Sequence, residues 1–283
     1  MGSPRRGIHA PARRHLRYEL AVAPPGAPLI QFRNVRKAFG DKVVFRDLNL
    51  DVFPGETITV MGGSGVGKSV LLKMLIRLLE PDAGSIRFHD REVTTMSDAE
   101  LRRTRQHIAM LFQGGALFDS LSVGDNVAYA LREHFFREMN EREIAERVRW
   151  ALSLVDLPGI EPMRPADLSG GMKKRVGLAR AIALRPEVVL YDEPTTGLDP
   201  INTTRINHLI NGLKRTLSVT SIVVTHDMQS AFGVSDRLAL LHRGEVVAQG
   251  TPEDFRRSTD PRVSDFIHGQ APEHEDVETL LQA

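Results

Sequence analysis

The chain has 283 residues, with 37 Lys and Arg against 36 Asp and Glu, and no cysteine. That length holds one large domain or two modest ones around a sizeable core, and the balanced charge excludes the global basic field of a dedicated nucleic-acid binder. The cysteine count excludes disulfides and thiolate metal sites, and no apolar run reaches the length of a membrane span.

Residues 1–28 are rich in Pro, Arg and Ala, with Arg5, Arg6, Arg13, Arg14 and Arg17 but no apolar stretch of a secretory signal. We expect a disordered basic tail, solvated rather than held on anionic lipid or nucleic acid. The protein is expected to be soluble and cytoplasmic, touching a membrane only through a partner. From residue 29 the pattern changes. Ile30, Phe32 and Val35 alternate with polar residues, as in a half-buried strand. Phe39 precedes Gly40 and Asp41 and has two readings, a core phenylalanine or a ring that stacks on adenine. Residues 43–52 form two strand-like runs around Asp47, and 85–88 continue the strands after the turn Pro81-Asp82-Ala83-Gly84. Together these predict a small antiparallel sheet.

Inside that stretch lies the most specific segment. Gly62, Gly63, Ser64, Gly65, Val66, Gly67, Lys68 and Ser69 fit G-x-x-x-x-G-K-[ST]. An apolar strand-like run (58–61) precedes them and a helix-like run (70–79) follows. The glycines let backbone N–H groups turn inward around phosphate oxygens, and the helix start adds its positive dipole end. Lys68 can neutralise β/γ-phosphate charge, and the Ser69 hydroxyl can ligate Mg²⁺. A glycine-rich surface turn is the plain alternative, but it does not require this strand–loop–helix context.

Residues 96 to about 166 read as a mostly helical insertion. Ser97 with Glu100 forms a capping box, Ser122 with Asp125 is a second candidate, and Asn140 with Glu143 opens a third helix. In that helix Ile144, Val148, Leu152 and Val155 recur at helical spacing. Gln113 follows the apolar run 108–112, where the sheet meets the insertion. It is either a solvated glutamine or a ligand of Mg²⁺ or of an attacking water. Ser169, Gly170 and Gly171 open a helix that continues through Lys173, Lys174 and Arg175. This is an ordinary N-cap or a second anion-binding nest. One nucleotide does not need two nests from one chain, so a dimer in which each chain covers its partner's nucleotide explains both.

Residues 187–191 and 221–225 are short apolar runs suited to buried parallel strands. The first ends in Asp192 and Glu193. Asp192 would hold Mg²⁺ through water, and Glu193 can polarise a water for attack on the γ-phosphorus. The second run ends at His226, which would face the γ-phosphate; a solvated or structural histidine is the alternative. Helical pieces are expected at 202–213 and 229–234, a hairpin around His242-Arg243-Gly244, and a helix start at Thr251 with Pro252 in its first position. Residues 257–283 read as a polar C-terminal extension.

These motifs, in this order over residues 29–255, resemble the nucleotide-binding subunit of an ATP-binding cassette (ABC) transporter. The resemblance identifies Gly62 to Ser69 as the Walker A loop, Gln113 as the Q-loop residue and Leu168 to Met172 as the signature. Walker B ends at Asp192 and Glu193, Gly197-Leu198-Asp199 is the D-loop, and His226 is the switch histidine. It implies an α/β fold: a RecA-like P-loop core with an antiparallel β-subdomain and an inserted α-helical subdomain, spanning 29–256. It also implies ATP and Mg²⁺ at a head-to-tail dimer of two copies. Asp199 and Val70 are expected to join the nucleotide site.

Two stretches resemble a narrower group. Residues 111–118 with 126–134, and the signature running into Lys173-Lys174-Arg175-Val176, are similar to the ATPase subunit of Mla-type phospholipid transporters. Asp260-Pro261-Arg262-Val263 with Phe266 adds to that likeness. The resemblance implies a permease, an MCE-domain lipid carrier, no nucleic-acid partner, and a place at the cytoplasmic face of the inner membrane. An ATPase of small-solute import, a soluble ABC ATPase of repair or translation, and a regulatory module with little turnover are the other readings. Against the last two stand a single cassette without heptads, and the presence of Glu193 and His226. Departures from the family pattern are Val70 where Ser or Thr is common, Phe39 for tyrosine, and Met172 for glutamine.

Overall fold

The computed structural model describes residues 26–135 and 137–270. The expected tail up to residue 25, and the stretch after 270, lie outside the described residues. Strands and helices run in chain order as β1 (Ile30–Phe39), β2 (Lys42–Val52), β3 (Thr57–Met61), α1 (Lys68–Leu75), β4 (Ala83–Phe88), β5 (Arg91–Glu92), α2 (Asp98–His107) and β6 (Ile108–Leu111). There follow α3 (Val123–Phe135), α4 (Glu141–Leu154), α5 (Gly170–Ala183), β7 (Val188–Asp192), α6 (Pro200–Leu217) and β8 (Thr220–Thr225). The chain closes with α7 (Met228–Val234), β9 (Arg237–His242), β10 (Glu245–Gly250), α8 (Pro252–Arg256) and α9 (Pro261–His268).

The described residues divide into two compact units. One holds 26–113 and 186–270, and the other holds 114–185. The first unit has two sheets. β2-β1-β4-β5 is antiparallel, the small sheet that the alternating residues predict. The two runs expected around Asp47 are one strand, β2. Its pairing with β1 slips at Asn34, where a left-handed residue (φ 49°) hydrogen-bonds Asp47 and Asn49. The second sheet has the order β10-β9-β3-β8-β7-β6 and is parallel except for the β9–β10 hairpin. That hairpin turns through Arg243 and Gly244, both at positive φ, as a tight two-residue connection requires.

β3, β7 and β8 are buried along their whole length, with Thr57, Thr59, Thr220, Ser221 and Thr225 among their buried positions beside the apolar ones. Their register fixes the site. Met61 pairs with Thr225, and Asp192 with Val224. The residues that follow these strands therefore emerge side by side at the carboxyl edge of the sheet, where open α/β sheets bind ligands. α8 and α9 pack on the sheet, with Phe255 and Val263 in a cluster with Met61, Leu238 and Leu240. Val263, Phe266 and Ile267 supply the apolar side of α9 within the stretch expected to be a polar extension.

The second unit is helical. α3, α4 and α5 pack on one another, and Val127, Leu131, Val148, Leu152, Val176 and Ile182 on them are buried. The capping boxes expected at Asn140 with Glu143, and in the first unit at Ser97 with Glu100, are both formed. The insertion was expected over 96 to about 166. The compact unit instead runs 114–185, because α5 packs on α3 and α4 while α2 belongs to the sheet-bearing unit.

Candidate active site

Two glycines of the loop from β3 to α1 leave no room for a side chain. Gly67 sits at φ 102°, and a Cβ there would lie 2.3 Å from Val44 Cγ1. At Gly62 a Cβ would lie 2.6 Å from the Leu241 carbonyl. Between them Gly63, Ser64 and Gly65 are exposed at the crown of the loop, and Val66 packs beside Gly62. Gly67 is also the N-cap of α1 and supplies no side chain to its first N–H groups. A helix start uncapped by a side chain, with glycine at the point of closest approach, is a cradle for an anion.

Lys68 is 7 % exposed, and its Nζ donates to the Gly62 and Gly63 carbonyls, each at 2.9 Å. Glu193 Oε1 lies 3.7 Å away. Burial pushes the Lys68 ammonium below its ordinary value, and Glu193 and then Asp192 oppose that shift. Beside it the Ser69 hydroxyl donates to Asp192 Oδ1 at 2.5 Å. Val70 follows on the first turn of α1, half-buried.

Glu193 takes the left-handed conformation (φ 48°), anchored by its N–H to the Val224 carbonyl at 2.9 Å. Its Oε2 lies 2.9 Å from His226 Nδ1 and accepts from Thr196 Oγ1 at 3.0 Å and Thr225 Oγ1 at 3.4 Å. The sheet thus brings Lys68, Ser69, Asp192, Glu193 and His226 into one bonded cluster. Thr196 and Thr225 join it without having been singled out in the sequence. The only signal for Thr196 was its place three residues after Glu193, and for Thr225 its place before His226.

The remaining predicted residues lie on other elements. Gln113 is exposed just past β6, the strand beside β7. Phe39 is 46 % exposed at the end of β1, with Lys37 Nζ 5.1 Å from its ring centre. The core reading of Phe39 therefore fails. Asp199 caps α6, accepting from the Ile201 and Asn202 N–H groups at 3.0 Å each. The Asn202 amide, first among several donors, holds its carboxyl below the usual range. In the helical unit Ser169 is the exposed N-cap of α5, accepting from Met172 N–H at 3.3 Å. Gly170 is exposed beside it and Gly171 is buried.

Chemically, the loop can hold phosphate, and Ser69 and Asp192 offer hard oxygens that suit Mg²⁺. Among the described residues no group of three or more His, Cys, Asp or Glu could hold a metal by itself. A cation here would complete its shell with phosphate oxygens and water, as Mg²⁺ usually does. Glu193 and His226 can accept and hold a proton next to that phosphate.

Residues 45–196 match the sequence model of the family described as ABC transporter. The chain is 41% identical over 243 residues to the intermembrane phospholipid transport system ATP-binding protein MlaF of Haemophilus influenzae, covering 86% of this chain and 91% of that one. It is 40% identical over 246 residues to the probable ribonucleotide transport ATP-binding protein mkl of Mycobacterium leprae, covering 87% of this chain and 70% of that one. Among solved structures, the dimeric ATP-binding cassette MJ0796 in a post-hydrolysis state with ADP and Pi superposes with a TM-score of 0.73 at 30% identity, covering 79% of this chain and 98% of that one. No helix among the described residues is long and apolar enough to cross a membrane. The chain belongs to the ABC transporter family, as an ATP-binding subunit with the nucleotide-binding domain fold that hydrolyses ATP.

Proposed function

We propose that this ATPase drives phospholipid movement between membranes, working under a permease and with an MCE-domain lipid carrier, at the cytoplasmic face of the inner membrane. The observation that carries the cargo is the 41% identity to MlaF across 91% of that relative's length. Lys68 and the α1 start bind the β- and γ-phosphates of ATP. Ser69 and Asp192, with Gln113, hold Mg²⁺, which when bound neutralises developing phosphate charge. Phe39 stacks on the adenine. Glu193 takes a proton from the attacking water while His226 keeps its carboxylate in place.

Ser169, Gly170 and Gly171 act on the nucleotide of a second copy, and Asp199 lies at the seam between copies. Closure of the dimer shifts the permease between states of different lipid affinity. The mkl relatives support a second reading, transport of a small solute. The test is purification of the native membrane complex with identification of its proteins and lipids, alongside a Lys68→Ala strain. An MCE-domain subunit, bound phospholipid and altered envelope lipid in that strain are expected. A complex without an MCE subunit, and failed uptake of a solute in the same strain, would replace this reading with the second.

A further inference from the structure

We propose that Thr196 and Thr225 are positioning residues that commit one oxygen of the Glu193 carboxylate to the protein and aim the other, Oε1, at the attacking water. The proposal rests on the reading of Glu193 as the base. The two oxygens of Glu193 have different surroundings. Oε2 faces three protein donors: His226 Nδ1 at 2.9 Å, Thr196 Oγ1 at 3.0 Å and Thr225 Oγ1 at 3.4 Å. A carboxylate oxygen offers about two lone-pair directions, so three donors leave no room there for a water. Oε1 is turned instead to Lys68 Nζ, on the side of the phosphate loop.

Both hydroxyls are aimed by backbone they do not choose. Thr225 is fully buried at the end of β8, and its Oγ1 accepts the Asp227 N–H at 3.0 Å. Its own proton is thereby directed away from Asp227 and toward Glu193. Thr196 is brought back by the turn in which its N–H donates to the Glu193 carbonyl at 3.3 Å. That turn starts from the left-handed Glu193 itself, a conformation non-glycine residues adopt at a cost and keep only when their surroundings demand it. In hydrolysis the water O–H proton passes to Oε1 as the water oxygen bonds the γ-phosphorus. The bond from that phosphorus to the ADP oxygen breaks, and Oε1 later returns the proton to the released phosphate. Without the threonines the carboxylate, still held by His226, has a wider range of rotation, and Oε1 is aligned for a smaller share of encounters.

The test is single-turnover hydrolysis of Mg–ATP by the full chain in its native membrane complex, with ATP affinity and thermal midpoint measured on the same preparations. Thr196→Val should lower the hydrolysis rate about tenfold, the worth of one hydrogen bond to a charged group, with ATP affinity and midpoint unchanged. Thr196→Ser should restore it. Thr225→Val should cost less, about threefold, because its bond is longer. In a Glu193→Gln background, Thr196→Val should cause no further loss. A Thr196→Val rate within about twofold of the parent, or an undiminished loss in the Glu193→Gln background, overturns the positioning role. Near-normal turnover by Glu193→Gln alone overturns the base reading instead, so the two failures are distinguishable.

Discussion

The phosphate loop and the signature segment are both helix starts with glycines, yet they differ in what surrounds them. At the loop, Lys68, Asp192 and Glu193 are each less than a tenth exposed and are tied to the backbone or to one another. At the start of α5, Ser169 and Gly170 are exposed, and Ser169 Oγ caps its own helix at 3.3 Å. The first is a finished device within one chain. The second has the same backbone chemistry presented outward, as the proposed reach to a second copy requires. Burial is what separates a site that can do chemistry from a surface that can complete one.

The largest effect should come from the finished side. Glu193→Gln keeps shape and hydrogen bonding but removes the base, so turnover should fall on the order of 10²-fold or more while ATP still binds. Steady-state hydrolysis with a parallel binding titration checks this. Near-normal turnover would break the comparison at its strong end.

Next is the geometry of the loop. Gly67→Ala places a methyl 2.3 Å from Val44 Cγ1 at φ 102°. It should cost about 2–3 kcal/mol in unfolding free energy and weaken ATP binding together. Gly170→Ala meets nothing within 4 Å and should leave stability unchanged, which sharpens the contrast between the two helix starts. Denaturant titration of both variants reads the difference.

The two starts were legible in the sequence to different depths. Gly62 to Ser69 could be read because Gly62 and Gly67 answer backbone demands that recur at a fixed spacing. Glu193 was legible as a strand-end acid. Its donors were not, because Thr225 reaches it only through the β7–β8 pairing, 32 positions away. The capping boxes at Ser97 and Asn140 showed because a box is local. That α5 packs with α3 and α4 was hidden, since helical periodicity marks an apolar face without saying which unit receives it. The polar composition of 257–270 masked α9, although Val263, Phe266 and Ile267 stand at helical spacing.

The helical unit has its own internal tie. Asn126 is fully buried; its Oδ1 accepts the Phe118 N–H at 2.8 Å, and its Nδ2 donates to the Phe118 and Ser122 carbonyls at 3.0 Å each. It holds the segment that leaves Phe118 and Tyr129 exposed, their rings tilted against each other with centres 4.8 Å apart. Asn126→Ala should cost about 1–2 kcal/mol by leaving backbone groups unpaired. Hydrogen exchange should rise first at 116–122; uniform protection there would show that the tie is dispensable.

The smallest effect concerns acid. Burial, more than the charge of His89, pushes the His107 imidazole below its ordinary value, against the pull of Glu187. The folded chain therefore binds fewer protons than the unfolded chain below about pH 6.5, and stability should fall as pH drops from there through the folded value. His107→Gln should flatten part of that loss in melting curves taken from pH 7 to pH 5. An unchanged slope in that variant would assign the acid sensitivity elsewhere.

The central claim is that each chain supplies a finished half-site and an outward-facing one. Sedimentation of the Glu193→Gln chain with ATP tests it most directly. The account predicts an ATP-dependent dimer that Ser169→Arg abolishes in the same background while each chain still binds ATP. A monomer at all ATP concentrations with the permease present, or a dimer indifferent to Ser169→Arg, would contradict it.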